Sequence, residues 1–389
     1  MLFAVTLTLA AAAAVTASPL EPRAKKTAVL PLKHVVKATS IKALVQKGQA
    51  RIRKVNGESS TFHVDATGSG TVTNEDVSYV APVVIGGKTW NLIVDTGSSN
   101  TWCGAQTSCE PTSTGKSTGG SVSVPYGSGE FSGTEYKDKV SFGGLSVAAQ
   151  SIGAASSASG FSGVDGIIGF GPVDLTLDTV SNADTVPTFM DNLYSQGSIS
   201  SEVLGVSFRP ESGSDDDDAN GELTLGGVDS SKYSGSLTYF PTLTSGQAAK
   251  YWGISVSGFT YGSTSLGSGK GIVDTGTTLI YIPTSAYNKF LSAAGGSTDS
   301  STGLAAFSKK PTANFGIKFG STTYTLTPAQ YLIPSAQYSN FGLSSSKYYS
   351  WISDGGSSGV NIIIGQKFLE NYYSVYDTTN SRIGFATAV

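Results

Sequence analysis

Apolar residues along the chain fall in short clusters separated by Gly, Ser and Thr. Short runs of this kind, bounded by turn formers, predict strands rather than long helices. Strands are expected at Tyr79–Ile85, Trp90–Val94, Leu223–Leu225, Leu279–Ile282, Tyr324–Leu326 and Asn361–Ile364. Pro82 lies inside the first of these and has no N–H to give a neighbour, which predicts an edge position. Helical spacing is confined to a few segments. In Val186–Ser195, Phe189, Met190 and Leu193 share a face, and Ser285–Ala293 has a similar texture. Between Ser40 and Lys54, the apolar Ile41, Leu44, Val45 and Ile52 recur among Lys and Arg. That spacing suits a basic amphipathic helix interrupted by Gly48, with a disordered arm as the alternative. The pattern as a whole predicts a mainly β protein with a few short helices.

The N-terminus breaks this texture. Leu2 to Val15 is nearly continuous apolar sequence, followed by Thr16-Ala17-Ser18-Pro19. It reads as a signal peptide over residues 1–17. No later segment has the ~18 apolar residues of a membrane span, and the C-terminus lacks a lipid-anchor tail. A soluble, secreted, extracellular product with no membrane association is expected. In an oxidising compartment the two cysteines, Cys103 and Cys109, are expected to bridge. So small a loop gains only about 2–2.5 kcal/mol and would pin a local segment.

Composition sharpens the picture. The chain has 389 residues, enough for two domains, and only 14% are charged, against about 25% in a typical soluble domain. Residues 1–54 carry ten Lys/Arg and one acidic residue, whereas the remainder carries 15 basic and 27 acidic residues. A basic tail can bind nucleic acid or membrane, but here an acidic body follows it, so the expected partner of the tail is the body itself. The acidic body disfavours nucleic acid. Asp215 to Asp218 form a like-charged run expected in a solvated loop. No metal site and no cofactor are expected.

Histidine is nearly absent. His34 and His63 are the only two, both in or beside the basic segment. That excludes a Ser-His-Asp triad, a Cys-His pair and His-based zinc sites from the body. Carboxylates remain. Ile93-Val94-Asp95-Thr96-Gly97 returns as Ile272-Val273-Asp274-Thr275-Gly276, and each copy is followed downstream by apolar residues running into Gly, at Gly166–Gly169 and Ile362–Gly365. Two copies suggest two related lobes with a cleft that receives one carboxylate from each. Each Asp ends an apolar strand, and neighbouring hydroxyls can donate to it. Two carboxylates at close range cannot both ionise easily and would share a proton; aspartic proteases are the standard example of this effect. One could then take a proton from water while the other protonates a carbonyl oxygen.

These motifs, with Asp95–Trp102, Tyr126-Gly127-Ser128-Gly129, Gly171–Thr176 and Tyr372–Asn380, resemble the pepsin family of aspartic proteases, in particular its secreted fungal members of the polyporopepsin type. The resemblance spans the chain after the signal. It implies a bilobal β fold and an endopeptidase with the dyad Asp95 and Asp274. Ser98 and Thr277 match positions that hydrogen-bond the outer carboxylate oxygens, and Thr96 and Thr275 match threonines that interlock the two loops. Tyr126 matches the tip of a flap with mobile Gly127 and Gly129, and Trp102 the aromatic that supports it. Ile93, Ile167 and Ile272 match subsite positions, so apolar residues are expected around the scissile bond. Ser128 stands where relatives that accept Lys carry Asp, so cleavage after Lys is not expected. Cys103 and Cys109 match the first small disulfide loop.

The resemblance also makes Pro31–Lys33, Ser40-Ile41 and Leu44 part of an inhibitory propeptide, with a lysine expected to block the dyad. Electrostatics agree, since acid would protonate the acidic body and weaken its hold on a basic segment. The expected organisation is a signal at 1–17, a propeptide at 18–65, an N-terminal lobe at 66–245 and a C-terminal lobe at 246–389, with the mature start near Asp65 or Ala66. Expected partners are protein and peptide substrates, the chain's own propeptide and pepstatin-type inhibitors, with a monomer as the assembly. A glycosidase also uses paired carboxylates but does not explain the paired Asp-Thr-Gly turns. An inactive pepsin-like binding protein would be expected to have lost one of them.

Overall fold

The computed structural model describes residues 27–36, 40–58, 77–110, 112–127, 129–210 and 220–389. The signal segment, the expected mature start, Ser128 and the Asp215–Asp218 run lie outside the described residues.

In chain order, strand β1 (Ala28–Val36) and helix α1 (Ile41–Val55) precede β2 (Val77–Ile85), β3 (Lys88–Asp95), β4 (Thr101–Cys103), β5 (Lys116–Pro125), β6 (Glu130–Phe142), β7 (Leu145–Ser159) and β8 (Gly166–Gly169). Helix α2 (Phe189–Ser195), β9 (Val203–Ser207), β10 (Gly221–Leu225) and β11 (Tyr233–Pro241) follow. The C-terminal half opens with β12 (Gly253–Tyr261), β13 (Thr264–Val273), β14 (Ile280–Ile282) and α3 (Thr284–Ala294). The fold is mainly β. One 13-stranded sheet links the N-terminal strands to Tyr372–Asp377 and Arg382–Ala388, and a 7-stranded sheet carries the C-terminal lobe.

The internal repeat is visible in the pairing. β3 runs parallel to β8, with Ile93 opposite Ile167 and Asp95 opposite Gly169. β13 runs parallel to Ile363–Ile364, with Ile272 opposite Ile363. In both places a third strand closes the other side antiparallel, pairing Trp102 with Ile167 and Tyr281 with Ile363. Each Asp therefore leaves a strand that is flanked and buried, which fixes where its carboxylate can point.

β2 lies inside the large sheet, contrary to the edge position expected from Pro82. The reason is local. β1 pairs with β2 only up to Val80, and β6 pairs with it only from Val84. Pro82 faces Asn91 of β3 on one side and, among the described residues, no ladder on the other, so its missing N–H costs no sheet bond.

The described parts of the basic segment are docked on the body. β1 inserts between β10 and β2. Helix α1 starts where the Ser40 side chain accepts from the Ala43 N–H, and ends with Arg53 and Lys54 in its last turn, where cations oppose the helix dipole favourably. Ile41, Leu44, Val45, Ile52 and Val55 pack with Ile272, Leu279, Tyr281 and Ile363 of the C-terminal lobe. Each such burial contributes roughly 1.5–3 kcal/mol. Gly48 does not interrupt the helix. A Cβ there would lie 2.1 Å from the Tyr281 hydroxyl, and Tyr281 donates to the Val45 carbonyl at 2.9 Å. Glycine at 48 is what lets the helix approach this closely.

Candidate active site

β3 and β13 deliver Asp95 and Asp274 to one point between the lobes. Both are buried, at 2% and 0% exposure. Their surroundings repeat with two-fold regularity. The Gly97 N–H donates to Asp95 Oδ1 at 2.8 Å and the Gly276 N–H to Asp274 Oδ1 at 2.8 Å. The Ser98 hydroxyl donates to Asp95 Oδ2 at 2.5 Å and the Thr277 hydroxyl to Asp274 Oδ2 at 2.7 Å. The two glycines sit against the opposite carboxylates: a Cβ on Gly97 would lie 2.7 Å from Asp274 Oδ1, and one on Gly276 2.4 Å from Asp95 Oδ1. A side chain at either would force the lobes apart.

The threonines lock the loops to each other. The Thr96 N–H donates to the Thr275 hydroxyl at 2.9 Å, and the Thr275 N–H to the Thr96 hydroxyl at 3.0 Å. The Thr275 hydroxyl donates on to the Val94 carbonyl at 2.9 Å. These are buried reciprocal bonds, so removing one hydroxyl strands a backbone N–H of the opposite lobe.

β5 and β6 form a hairpin whose turn is closed by the Tyr126 N–H donating to the Gly129 carbonyl at 2.7 Å. Tyr126 lies edge-on to Phe161 at 5.3 Å, with Trp102 at 6.3 Å. Trp102 itself stacks on Phe131 at 4.2 Å. Ile93 and Ile167 belong to this same cluster, whereas Ile272 joins the cluster that receives α1. Cys103 and Cys109 are disulfide-bonded with Cα atoms 5.6 Å apart.

A guanidinium fills the centre. Arg51 of α1 donates from Nη2 to Asp95 Oδ1 at 2.8 Å and from Nε to Asp274 Oδ2 at 3.1 Å. The group expected there was a lysine; the structure places an arginine. A planar fork reaches two carboxylates at once, which a single ammonium does less well. The β5–β6 hairpin packs against this helix, and a Cβ on Gly127 would lie 2.6 Å from the Arg51 Cα. Lys54 donates to the Pro125 carbonyl, with its ammonium 4.8 Å from the Tyr126 ring centre. Burial by itself would raise Asp95, but Arg51, Ser98 and the Gly97 N–H outweigh it and hold the carboxyl below the ordinary carboxylate value. Asp274 moves the other way, because burial and the neighbouring Asp95 charge together exceed the pull of Arg51.

The Eukaryotic aspartyl protease family matches residues 78–388. Polyporopepsin of Irpex lacteus is 48% identical over 334 residues, covering 83% of this chain and 97% of that protein. Pepsin A of Sus scrofa is 30% identical over 334 residues, covering 80% and 81%. The crystal structure of the aspartic proteinase from Irpex lacteus superposes with a TM-score of 0.78 at 41% identity, covering 93% of this chain and 98% of that one. The chain belongs to the eukaryotic aspartyl proteases. It is a pepsin-like aspartic endopeptidase, and the family match begins just inside β2, beyond the basic segment.

Sequence reasoning missed one residue of this aspartyl protease that matters, and the signal was present. Arg51 lies between Gly48 and Val55 on the stripe that also carries Leu44. A charged residue on the apolar face of an amphipathic helix needs a buried partner, and two carboxylates supply it.

Proposed function

We propose that Asp95 and Asp274 jointly activate a water for peptide-bond hydrolysis at acid pH, and that the described form is a self-inhibited zymogen of a secreted enzyme. The observation that carries this is Arg51, held at 2.8 Å from one carboxylate and 3.1 Å from the other. Its nitrogens mark the place where a water would touch both. Once α1 leaves, one carboxylate accepts a proton from that water as its oxygen bonds the substrate carbonyl carbon. The other gives its proton to the carbonyl oxygen, forming a tetrahedral diol. Collapse of the diol breaks the C–N bond, and the proton held by the dyad passes to the leaving nitrogen. The pair titrates as a unit, and the interlocked threonines hold both carboxylates in register.

The buried positions of Ile93 and Ile167 beside Tyr126, and of Ile272 beneath α1, support apolar subsites around the scissile bond. The flap hairpin would close over substrate as it closes over α1. Acid exposure followed by N-terminal sequencing tests the zymogen. The basic segment is expected to be lost as pepstatin-sensitive cleavage of a protein substrate appears. Active enzyme that still begins near Ser18 would refute the propeptide.

A further inference from the structure

Beyond Arg51, the propeptide makes a second contact that resembles recognition more than packing. Asn56 caps α1, and its carboxamide pairs with one residue of the C-terminal lobe in both directions. Its Nδ2 donates to the Val360 carbonyl at 3.0 Å, and its Oδ1 accepts from the Val360 N–H at 2.7 Å. The approach is so close that a Cβ on Gly359 would lie 2.3 Å from Asn56 Oδ1, and Gly359 has φ +61°. Nothing about capping a helix requires this pairing, since the cap itself is made by the Asn56 backbone N–H. The Asn56 carboxamide also borders an open groove of about 680 Å³, with Gln247, Ser268, Ser285, Ser357 and Asn361 among its lining. That lining is rich in hydroxyls and amides, and among the described residues Lys270 is its only charged member.

We infer that the Gly359–Val360 seat is a subsite of the mature enzyme that takes a carboxamide, Asn or Gln, from the substrate, and that Asn56 occupies it in advance. The inference rests on the proteolytic reading above. Departure of α1 leaves the Val360 N–H and C=O facing the cleft with one donor and one acceptor at carboxamide spacing. At about pH 5.5, where its side chain is ionised, Asp would turn an acceptor toward the Val360 carbonyl, and Leu would leave both backbone groups unpaired, so the comparison is made there. Asn56 lies five residues beyond Arg51, or ~7.5 Å along a helix. An extended substrate covers that distance in about two residues, so the seat falls about two residues from the scissile bond.

The test is a set of peptides sharing one cleavage site, with Asn, Asp or Leu at each of the neighbouring positions, assayed with acid-activated enzyme. An Asn-free peptide reports proteolysis itself. One position is expected to favour Asn over both Leu and Asp by about tenfold in kcat/KM. Gly359→Ala should bring that ratio close to one, whereas Val360→Ala, which keeps the backbone groups, should preserve it. In the full chain, Asn56→Leu alters nothing in the enzyme after residue 66 and should speed acid activation by about tenfold. Equal rates for Asn, Asp and Leu at every position, with the Asn-free peptide still cleaved, would overturn the subsite and leave the protease standing. A preference unmoved by Gly359→Ala, or activation unmoved by Asn56→Leu, would also overturn it. Failure to cleave any peptide would overturn both readings.

Discussion

His34 should set the pH at which the propeptide begins to let go. It lies on β1, opposite Tyr79 of β2, and is fully buried. Its ring is 4.6 Å from that of Tyr79, which in turn stacks on Phe208 at 3.6 Å. Burial first, and then the positive charge of Lys367, bring its pKa from 6.5 down to about 3. Lys367 is itself paired with Glu370 at 2.8 Å, so that carboxylate is already engaged by another cation. The docked strand therefore holds a neutral ring, whereas the released strand takes up a proton near 6.5. The stabilisation is complete above pH 6.5 and is lost as pH falls toward about 3. At 1.36 kcal/mol per unit, the loss is about 3 kcal/mol by pH 4.5, a weakening on the order of a hundredfold. The Arg51–Asp95 contact cannot supply this response, because that carboxyl is held below its ordinary 3.8 and protonates only in stronger acid. His34→Phe keeps an aromatic ring against Tyr79 and cannot charge. The assay is the rate of propeptide loss from pH 6.5 to 4.5. Across this window the wild type should gain up to about a hundredfold more than the variant, which keeps only the acid response of the dyad and of Asp274, whose pKa is raised. Superimposable profiles would refute the argument.

Other consequences follow from the same geometry. Arg51→Met should weaken closure of the dyad by about 3 kcal/mol, read as a rise in peptide hydrolysis by uncleaved zymogen at pH 5.5. Thr275→Val removes the acceptor of the Thr96 N–H and the donor to Val94. It should lower the unfolding free energy by about 2 kcal/mol in denaturant titration and reduce kcat more than it raises KM. Glu135 is buried on β6, and burial raises its pKa to about 7 against the opposing hydrogen bond from Ser151. Its neutral form stabilises the fold fully below the ordinary value of 4.5 and progressively less as pH rises through about 7. Glu135→Gln should therefore flatten the fall in melting temperature between pH 5 and 8.

The dyad was legible because its chemistry is local. Asp95 and Asp274 each sit at the end of an apolar run in a repeated five-residue motif, and the pairing of Ile93 with Ile167 and of Ile272 with Ile363 follows that repeat. The strands Trp90–Val94 and Leu223–Leu225 were visible only as short apolar runs, which a buried helix segment could also give, while the helix near Ser285 was legible from its apolar spacing. The long strands β5 to β7 were not, since Ser, Gly, Ala and charged residues leave them few large apolar side chains, and their stability comes from cross-strand pairing. Gly48 was misread because helix propensity speaks only of the helix, whereas its role is the space it leaves for Tyr281. The edge position suggested by Pro82 failed for the strand but holds at the residue. Arg51 and Asn56 act through partners more than forty residues away, and no local pattern names those partners.

The most direct measurement is acid hydrolysis of a peptide by activated Asp274→Asn enzyme. Asn keeps the shape of the side chain and its bond with Thr277 but can neither share the proton with Asp95 nor donate it to a carbonyl oxygen. Cleavage should fall by at least about 10³-fold, with circular dichroism and the melting transition close to those of the wild type. Hydrolysis at an undiminished rate by the folded variant would contradict a dyad of Asp95 and Asp274.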